Sequence, residues 1–337
     1  MNLAKDGEQM KCGTVLARGG CLVKKLPLLY QQSHRHGTIV RRTRPVLALL
    51  AASLLVLSTM LMPQSGATEE KIPFVTGVLD LPLTNTYISP RGVISEDEGL
   101  VFQPSLTLFL NFYQGDGPIT NVTGSVGMWN SVHSKFRGIE ADTTAENWFE
   151  VDLVTGISVT FLKDWTFSFG YEYWLSPIDA FAPTSLITLR LAYTDHFLKA
   201  LMPHTPGELS INPYINFFIE LKNKAAAPVT VDESFYFELG FIPKYVFAGY
   251  PLTLELPTYF IFPGDHFYST NSTLGVFSTG VKVTAPLTFI DERYGKWSVN
   301  LALKYYHLAN DGVVAGNAFF TTSRDRGQVI GGLTLNF

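Results

Sequence analysis

Residues 328–337 read QVIGGLTLNF, and their parity decides the fold. Counting back from Phe337 by twos meets Leu335, Leu333, Gly331 and Val329, while Asn336, Thr334 and Gly332 take the other parity. Such alternation is a β-strand with one apolar face and one polar or small face. The apolar face must pack either on a second sheet or on lipid.

The same dyad recurs upstream. In SINPYINFFIELK (210–222) the odd positions Ile211, Pro213, Ile215, Phe217, Ile219 and Leu221 are apolar, whereas Ser210, Asn212, Tyr214, Asn216, Glu220 and Lys222 are mostly polar. WFEVDLVTGISVTF (148–161) and WSVNLALKYY (297–306) repeat it. Marking every such run predicts twelve strands, near 74–88, 99–113, 119–132, 147–162, 165–176, 184–194, 209–222, 234–248, 252–262, 273–288, 297–309 and 328–337. No helical period of any length interrupts them.

Links after odd-numbered strands are long, as in SPRGVISEDE (89–98), and links after even-numbered strands include the short QGDGPI, KD and GYP. An even strand number, with short turns at the end that holds both termini, is the layout of a bacterial outer-membrane barrel. The link over 195–208 is long for the short side, which leaves that strand pairing open. Strands of ten or more residues exceed the usual five or six of a globular sheet, and ten tilted residues match a hydrocarbon slab. Closure is then compulsory, because an open edge leaves backbone N–H and C=O groups unpaired in lipid. The predicted fold is therefore all-β, a transmembrane antiparallel up-and-down barrel. Trp148, Trp165, Tyr173, Tyr245, Trp297 and Tyr305 near strand ends suit interfacial girdles. Pro82, Pro104, Pro213, Pro243, Pro257 and Pro286 fall inside the predicted strands, and each removes a ladder donor, so bulges, strand ends or rim positions are expected for them.

Composition divides the chain in two. Up to Ala67 there are nine Lys or Arg and two acids; from Thr68 onward there are sixteen basic and twenty-seven acidic residues, a charge of about −11. So acidic a chain is a poor nucleic-acid binder. Cys12 and Cys21 both precede the boundary, so no disulfide or thiolate metal site is available beyond it. Arg41, Arg42 and Arg44 ahead of the apolar run from Val46 to Met62, with Ser65 and Ala67 at a small-residue cleavage site, read as a signal peptide over 40–67. The competing reading is an uncleaved anchor, for which seventeen residues is short. Residues 1–39 read as an extension outside the functional chain, with the barrel at 68–337.

The alternating hydrophobics ending in an aromatic residue resemble the C-terminal signal that the outer-membrane barrel assembly machinery recognises, carried here by Val329, Gly331, Leu333, Leu335 and Phe337. The stretches NTYISPRGVISEDEGLVFQPSLTLFLNFY (85–113) and SVGMWNSVHS (125–134) resemble porin-like outer-membrane β-barrel proteins of Gram-negative bacteria. That resemblance implies an exported, integral outer-membrane protein whose partners are lipid, lipopolysaccharide and the assembly machinery.

Assigning the polar parity to the lumen places Asp80, Glu150, Asp152, Glu172, Glu220, Glu238 and Glu255 inside with Arg190, Lys222, Lys244, Lys282 and Lys304. These charges form either a salt-bridge network that fills the lumen or rings that bias which small polar solutes pass. Ser131 and His133, in NSVHSKFRG, are the nearest approach to a hydrolase nucleophile and base, but the segment does not match the His-x-Ser-Asn-Gly pattern of outer-membrane phospholipases. His133, His196, His204, His266 and His307 show no metal-ligand spacing, and no Gly-rich phosphate loop occurs; no cofactor is expected. Two readings stand: a passive porin or channel, and a structural or surface-interaction barrel with a plugged lumen. The charged loop runs EDE (96–98), IEAD (139–142) and SRDR (323–326) are expected to be solvated, or to bind ions that bridge lipopolysaccharide.

Overall fold

A computed structural model describes residues 73–135, 147–195, 198, 205–223 and 233–337. The predicted extension and signal peptide, His196, His204 and the IEAD run lie outside the described residues.

Twelve staves close into one antiparallel barrel. Eight are single strands: β1 (Val75–Thr84), β6 (Ile119–His133), β7 (Trp148–Phe161), β8 (Trp165–Leu175), β9 (Thr184–Tyr193), β16 (Val276–Pro286), β17 (Lys296–Leu308) and β18 (Asp325–Asn336). Four are split in two: β4 (Val101–Phe102) with β5 (Ser105–Gln114), β10 (Glu208–Ser210) with β11 (Pro213–Lys222), β12 (Phe235–Phe241) with β13 (Lys244–Val246), and β14 (Thr253–Glu255) with β15 (Thr258–Pro263). Each stave pairs with its neighbours in sequence, and β1 pairs with β18 from Val78–Asn336 to Thr84–Ile330, which closes the wall. The link at 195–208 joins neighbouring staves, since β9 pairs with β11, so that pairing is regular. The first predicted strand is too long by four residues: the wall ends at Thr84, and Tyr87–Ile88 (β2) pairs instead with Ile94–Glu96 (β3) in a small separate hairpin.

The prolines explain the splits. Pro104 lies between β4 and β5, Pro243 between β12 and β13, and Pro257 between β14 and β15; Pro213 opens β11 and Pro286 closes β16. Pro82, inside β1, faces the gap between β4 and β5, where Gln103 N donates to Pro82 O at 2.9 Å. A residue with no N–H is thus spent where the ladder is already interrupted. At the neighbouring break Asn212 takes φ +51°, and its Nδ2 donates to Ser210 Oγ at 2.8 Å and Ile242 O at 3.2 Å. Asp195 accepts the Ile211 and Asn212 N–H groups at 2.6 Å each. On the outer wall these breaks leave a hollow of about 440 Å³ bordered by Phe241, Leu256, Val281, Leu303 and Tyr305.

The dyad assigns the faces. Met128, Ile157, Phe167, Phe169, Leu239, Val281, Val283, Leu301 and Leu303 are exposed on the outside, Leu301 by 57%. Leaving each such side chain in water forfeits about 1.5–3 kcal/mol, so a continuous belt of them requires lipid as its neighbour. Closed pairing inside an apolar belt is how a sheet satisfies its backbone in a bilayer. The barrel therefore spans a membrane. Adjacent positions on β17 test this directly. Leu301→Lys should cost about 2–4 kcal/mol of folding stability in lipid vesicles. Asn300→Lys should cost less, losing the bonds from Thr284 Oγ1 at 2.8 Å and to Thr334 Oγ1 at 2.7 Å while keeping its charge in the lumen. Equal unfolding midpoints for the two variants would overturn the face assignment.

Candidate functional site

The lumen has two unlike halves. Toward the short-turn end the inner wall carries small polar side chains bonded along the wall. Ser158 Oγ meets Ser168 Oγ at 2.8 Å, Thr160 Oγ1 meets Thr166 Oγ1 at 3.1 Å, and Asn300, Thr334 and Asp80 form a chain ended by Thr334 Oγ1 donating to Asp80 Oδ1 at 2.5 Å. All of these are half-buried, as a wall facing open space would be. Toward the long-loop end the interior is packed: Leu186, Tyr236, Ile261, Tyr306 and Leu308 are each at most 2% exposed.

The packing element is the β2–β3 hairpin. Its turn is Ser89-Pro90-Arg91-Gly92: Gly92 N donates to Ser89 O at 2.9 Å, and Gly92 takes φ +81°. Proline followed two residues later by a left-handed glycine suits a three-residue hairpin loop. Ile88 and Ile94 pack with Tyr236, Phe267, Tyr268, Val276, Leu308 and Val313. Polar anchors fix the tip: Asn317 accepts from Ile94 N at 2.9 Å and donates to Gly92 O at 2.7 Å, and Tyr268 OH donates to Arg91 O at 2.8 Å. Asn317 ends α1 (Asp311–Gly316), so the last loop holds the first.

Below the tip lies the acidic cluster. Glu150 accepts from Tyr87 OH at 2.7 Å, and Glu172 accepts from Trp174 Nε1 at 3.0 Å. Asp152 Oδ1 is buried with no hydrogen-bond partner among the described residues. The Arg91 guanidinium lies 4.3 Å over the Trp174 ring, and Arg91 bonds Tyr236. Burial alone would lower the Arg91 pKa, but Tyr236, Tyr87 and Glu150 around it reverse that, and the group is held firmly cationic. Tyr87, Arg91, Trp174, Tyr236 and Tyr268 were not distinguished by strand parity; the signal that could have found the hairpin is Pro-Arg-Gly flanked by Tyr87-Ile88 and Val93-Ile94.

The remaining charges form separate groups. Lys244, Glu255 and Lys282 fall on one rung across β13, β14 and β16, with Lys282 Nζ 3.4 Å from Glu255 Oε2. Arg190 Nη1 donates to Asn216 Oδ1 at 3.1 Å, Asn216 Nδ2 donates to Glu238 Oε1 at 3.0 Å, and the guanidinium lies 3.9 Å over Tyr214. Glu220 is buried and accepts from Ser234 N at 2.8 Å. Lys222 is exposed at the loop end of β11, and Lys304 is half-buried on β17 opposite Gly280 and Gln328. Two of the loop runs depart from solvated loops: Arg326 Nη2 of SRDR lies 4.0 Å from Asp97 Oδ2 of EDE, and Glu96 is 0% exposed and accepts from Asp97 N and Glu98 N at 2.9 Å. As the last residue of β3, Glu96 turns its carboxylate back onto the backbone of the loop that follows.

Ser131 and His133 do meet, Oγ to Nε2 at 2.8 Å. Both are sealed, at 0% and 1% exposure, with His133 stacked on Phe149 at 4.7 Å and edged by Tyr87. A lipid hydrolase must offer its nucleophile to the bilayer or the solvent, and this serine is offered to neither.

No family of known proteins matches the sequence, and no curated protein matches it. Solved barrels do match. The COG4313 outer membrane channel from Pseudomonas putida F1 shares 11% sequence identity at a TM-score of 0.42, over 82% of this chain and 100% of that one. The translocator domain of the autotransporter NalP from Neisseria meningitidis shares 12% at 0.38, over 88% and 97%. Outer membrane phospholipase A from Escherichia coli shares 11% at 0.38, over 77% and 92%.

The C-terminal strand carries the closure. Phe337 N donates to Gly77 O at 3.0 Å and Gly77 N donates to Phe337 O at 2.7 Å. Val329, Leu333 and Phe337 are exposed on the outer face, and a side chain at Gly331 would meet open space. Gly332, on the other parity, is tight against Pro82: a Cβ there would come within 2.9 Å of Pro82 Cα.

Proposed function

We propose that the protein is an outer-membrane channel for small polar solutes, closed at its loop end by the β2–β3 hairpin. The observation that carries this reading is the half-exposed polar wall from Asp80 and Thr334 to Ser158 and Ser168, beneath a hairpin held only by noncovalent contacts. A barrel whose interior served stability alone gains nothing from a hydroxyl-lined half-lumen, since buried polar groups return little net free energy over apolar packing. With the long loops outward, solutes meet the hairpin first and the polar vestibule after it.

The test is planar-bilayer conductance of folded protein, with residues 89–94 replaced by a short Gly-Ser link in a companion variant. Wild type should conduct in brief openings, and the variant should stay open at higher conductance. Silence of both would favour the structural barrel with a filled lumen.

In the open variant Lys282→Gln should raise the cation-to-anion permeability ratio, because fixed positive charge at the vestibule wall opposes cations. Its bridge to Glu255 is partly solvated, with Lys282 42% exposed, so the loss of stability should stay within about 1 kcal/mol. Reversal potentials in a salt gradient measure the ratio; an unchanged potential would place Lys282 off the conduction path.

A further inference from the structure

We propose that the seat of Arg91 is a recognition site for a solute carrying a guanidinium group, with Arg91 as a tethered occupant that such a solute displaces. The inference rests on the channel reading and names its solute class. The seat is built for a planar cation. Trp174 offers a ring face at 4.3 Å, Asp152 is its cross-strand partner, Glu172 accepts from its Nε1 at 3.0 Å, and Glu150 stands two residues before Asp152 on the same face of β7. Guanidinium suits that combination because it stacks on an aromatic face while its edge donors reach carboxylates.

The seat is also incompletely matched. Three carboxylates share one cation: Glu150 and Glu172 each accept from a neighbouring ring group, Asp152 is hydrogen-bonded to Glu150, and Asp152 Oδ1 is still left buried with no hydrogen-bond partner among the described residues. Burying an unpartnered carboxylate oxygen is costly, so its persistence points to a donor that Arg91, limited by its hairpin, does not deliver. A free guanidinium has no such tether. Its entry would expel the side chain at the hairpin tip, coupling recognition of the solute to opening of the loop end.

The experiment uses full-length barrel in detergent, methylguanidinium as the probe and the neutral, similarly shaped methylurea as the comparator, with binding read by tryptophan fluorescence and calorimetry. Arg91→Gln empties the seat. Methylguanidinium should bind that variant at least tenfold more tightly than it binds wild type, where Arg91 competes, and at least tenfold more tightly than methylurea binds the variant. Adding Asp152→Asn should weaken the cation alone. Equal affinity for the two probes, or equal affinity of wild type and Arg91→Gln, would overturn the proposal. Should Arg91→Gln fail to assemble, limited proteolysis of wild type decides it: methylguanidinium should speed cleavage within 89–94 and methylurea should not, and identical cleavage rates would overturn it. Binding without any conductance would instead refute the channel reading and leave the site standing.

Discussion

Deletion of Leu335–Phe337 is expected to leave the protein exported but unassembled, sensitive to protease and with the same gel mobility before and after boiling. The barrel closes through β1 and β18, and the deletion removes the Val78–Asn336 and Leu79–Leu335 rungs together with both bonds between Gly77 and Phe337. On the other side β17 loses the partners of Lys296 and Trp297. Each backbone group left unpaired in hydrocarbon costs several kcal/mol, so the seam fails as a unit. The Phe337 ring adds a separable contribution: it lies across Gly77, where a Cβ would come within 2.4 Å of it. Gly77→Leu keeps every terminal residue and evicts the ring. If the assembly machinery reads Phe337 itself, Phe337→Ala should block assembly in cells yet refold in detergent micelles, whereas Gly77→Leu should impair both. Normal heat-modifiable barrel from the truncated chain would defeat the account.

Legibility in the sequence followed the range of the force involved. The twelve staves were readable because parity is local, and each strand reports which neighbour it needs without knowing which strand supplies it. The six prolines look like contradictions in a linear reading; register resolves them, since Pro104 and Pro82 share one gap and Pro243 and Pro257 sit at breaks in adjoining staves. The charges share a parity in the sequence, but their grouping cannot be read there. Lys244, Glu255 and Lys282 meet on one rung only because the turns between β13, β14 and β16 set the register. The hairpin was the real omission. Its alternation runs on from β1, so Tyr87 and Ile88 extend the first strand by pattern, and nothing local says that the chain turns inward after Thr84. That decision belongs to Asn317 and Tyr268, about two hundred residues away, a tertiary override of local preference. The same distance hid Glu96, which reads as a solvated acid in EDE and is enclosed once the hairpin folds in.

The hairpin tip supplies the sharpest test of the proposed channel: if that reading holds, Gly92→Val should convert a mostly closed pore into a mostly open one without touching the wall. Two costs combine at this position. Gly92 takes φ +81°, which β-branched residues strongly avoid, and a Cβ there would approach Leu308 Cδ2 to 2.7 Å and Val276 Cγ2 to 2.9 Å. Leu308 and Val276 are both 0% exposed within the packed cluster, so neither can yield cheaply. The backbone strain alone is of order 1–3 kcal/mol, and overpacking adds about as much again. A shift of about 3 kcal/mol changes the seated-to-unseated ratio by roughly a hundredfold, because every 1.4 kcal/mol is a factor of ten. The wall should be spared, since Gly92 lies outside every stave and its main-chain bond goes to Ser89. The barrel should therefore keep its heat-modifiable mobility while open probability rises and protease cuts appear between Ser89 and Ile94. Gly92→Ala, with less bulk and a smaller φ penalty, should fall between wild type and valine on both measures. An open probability that stays at the wild-type level in Gly92→Val, with the tip shown to be cleaved, would mean that the hairpin does not close the path.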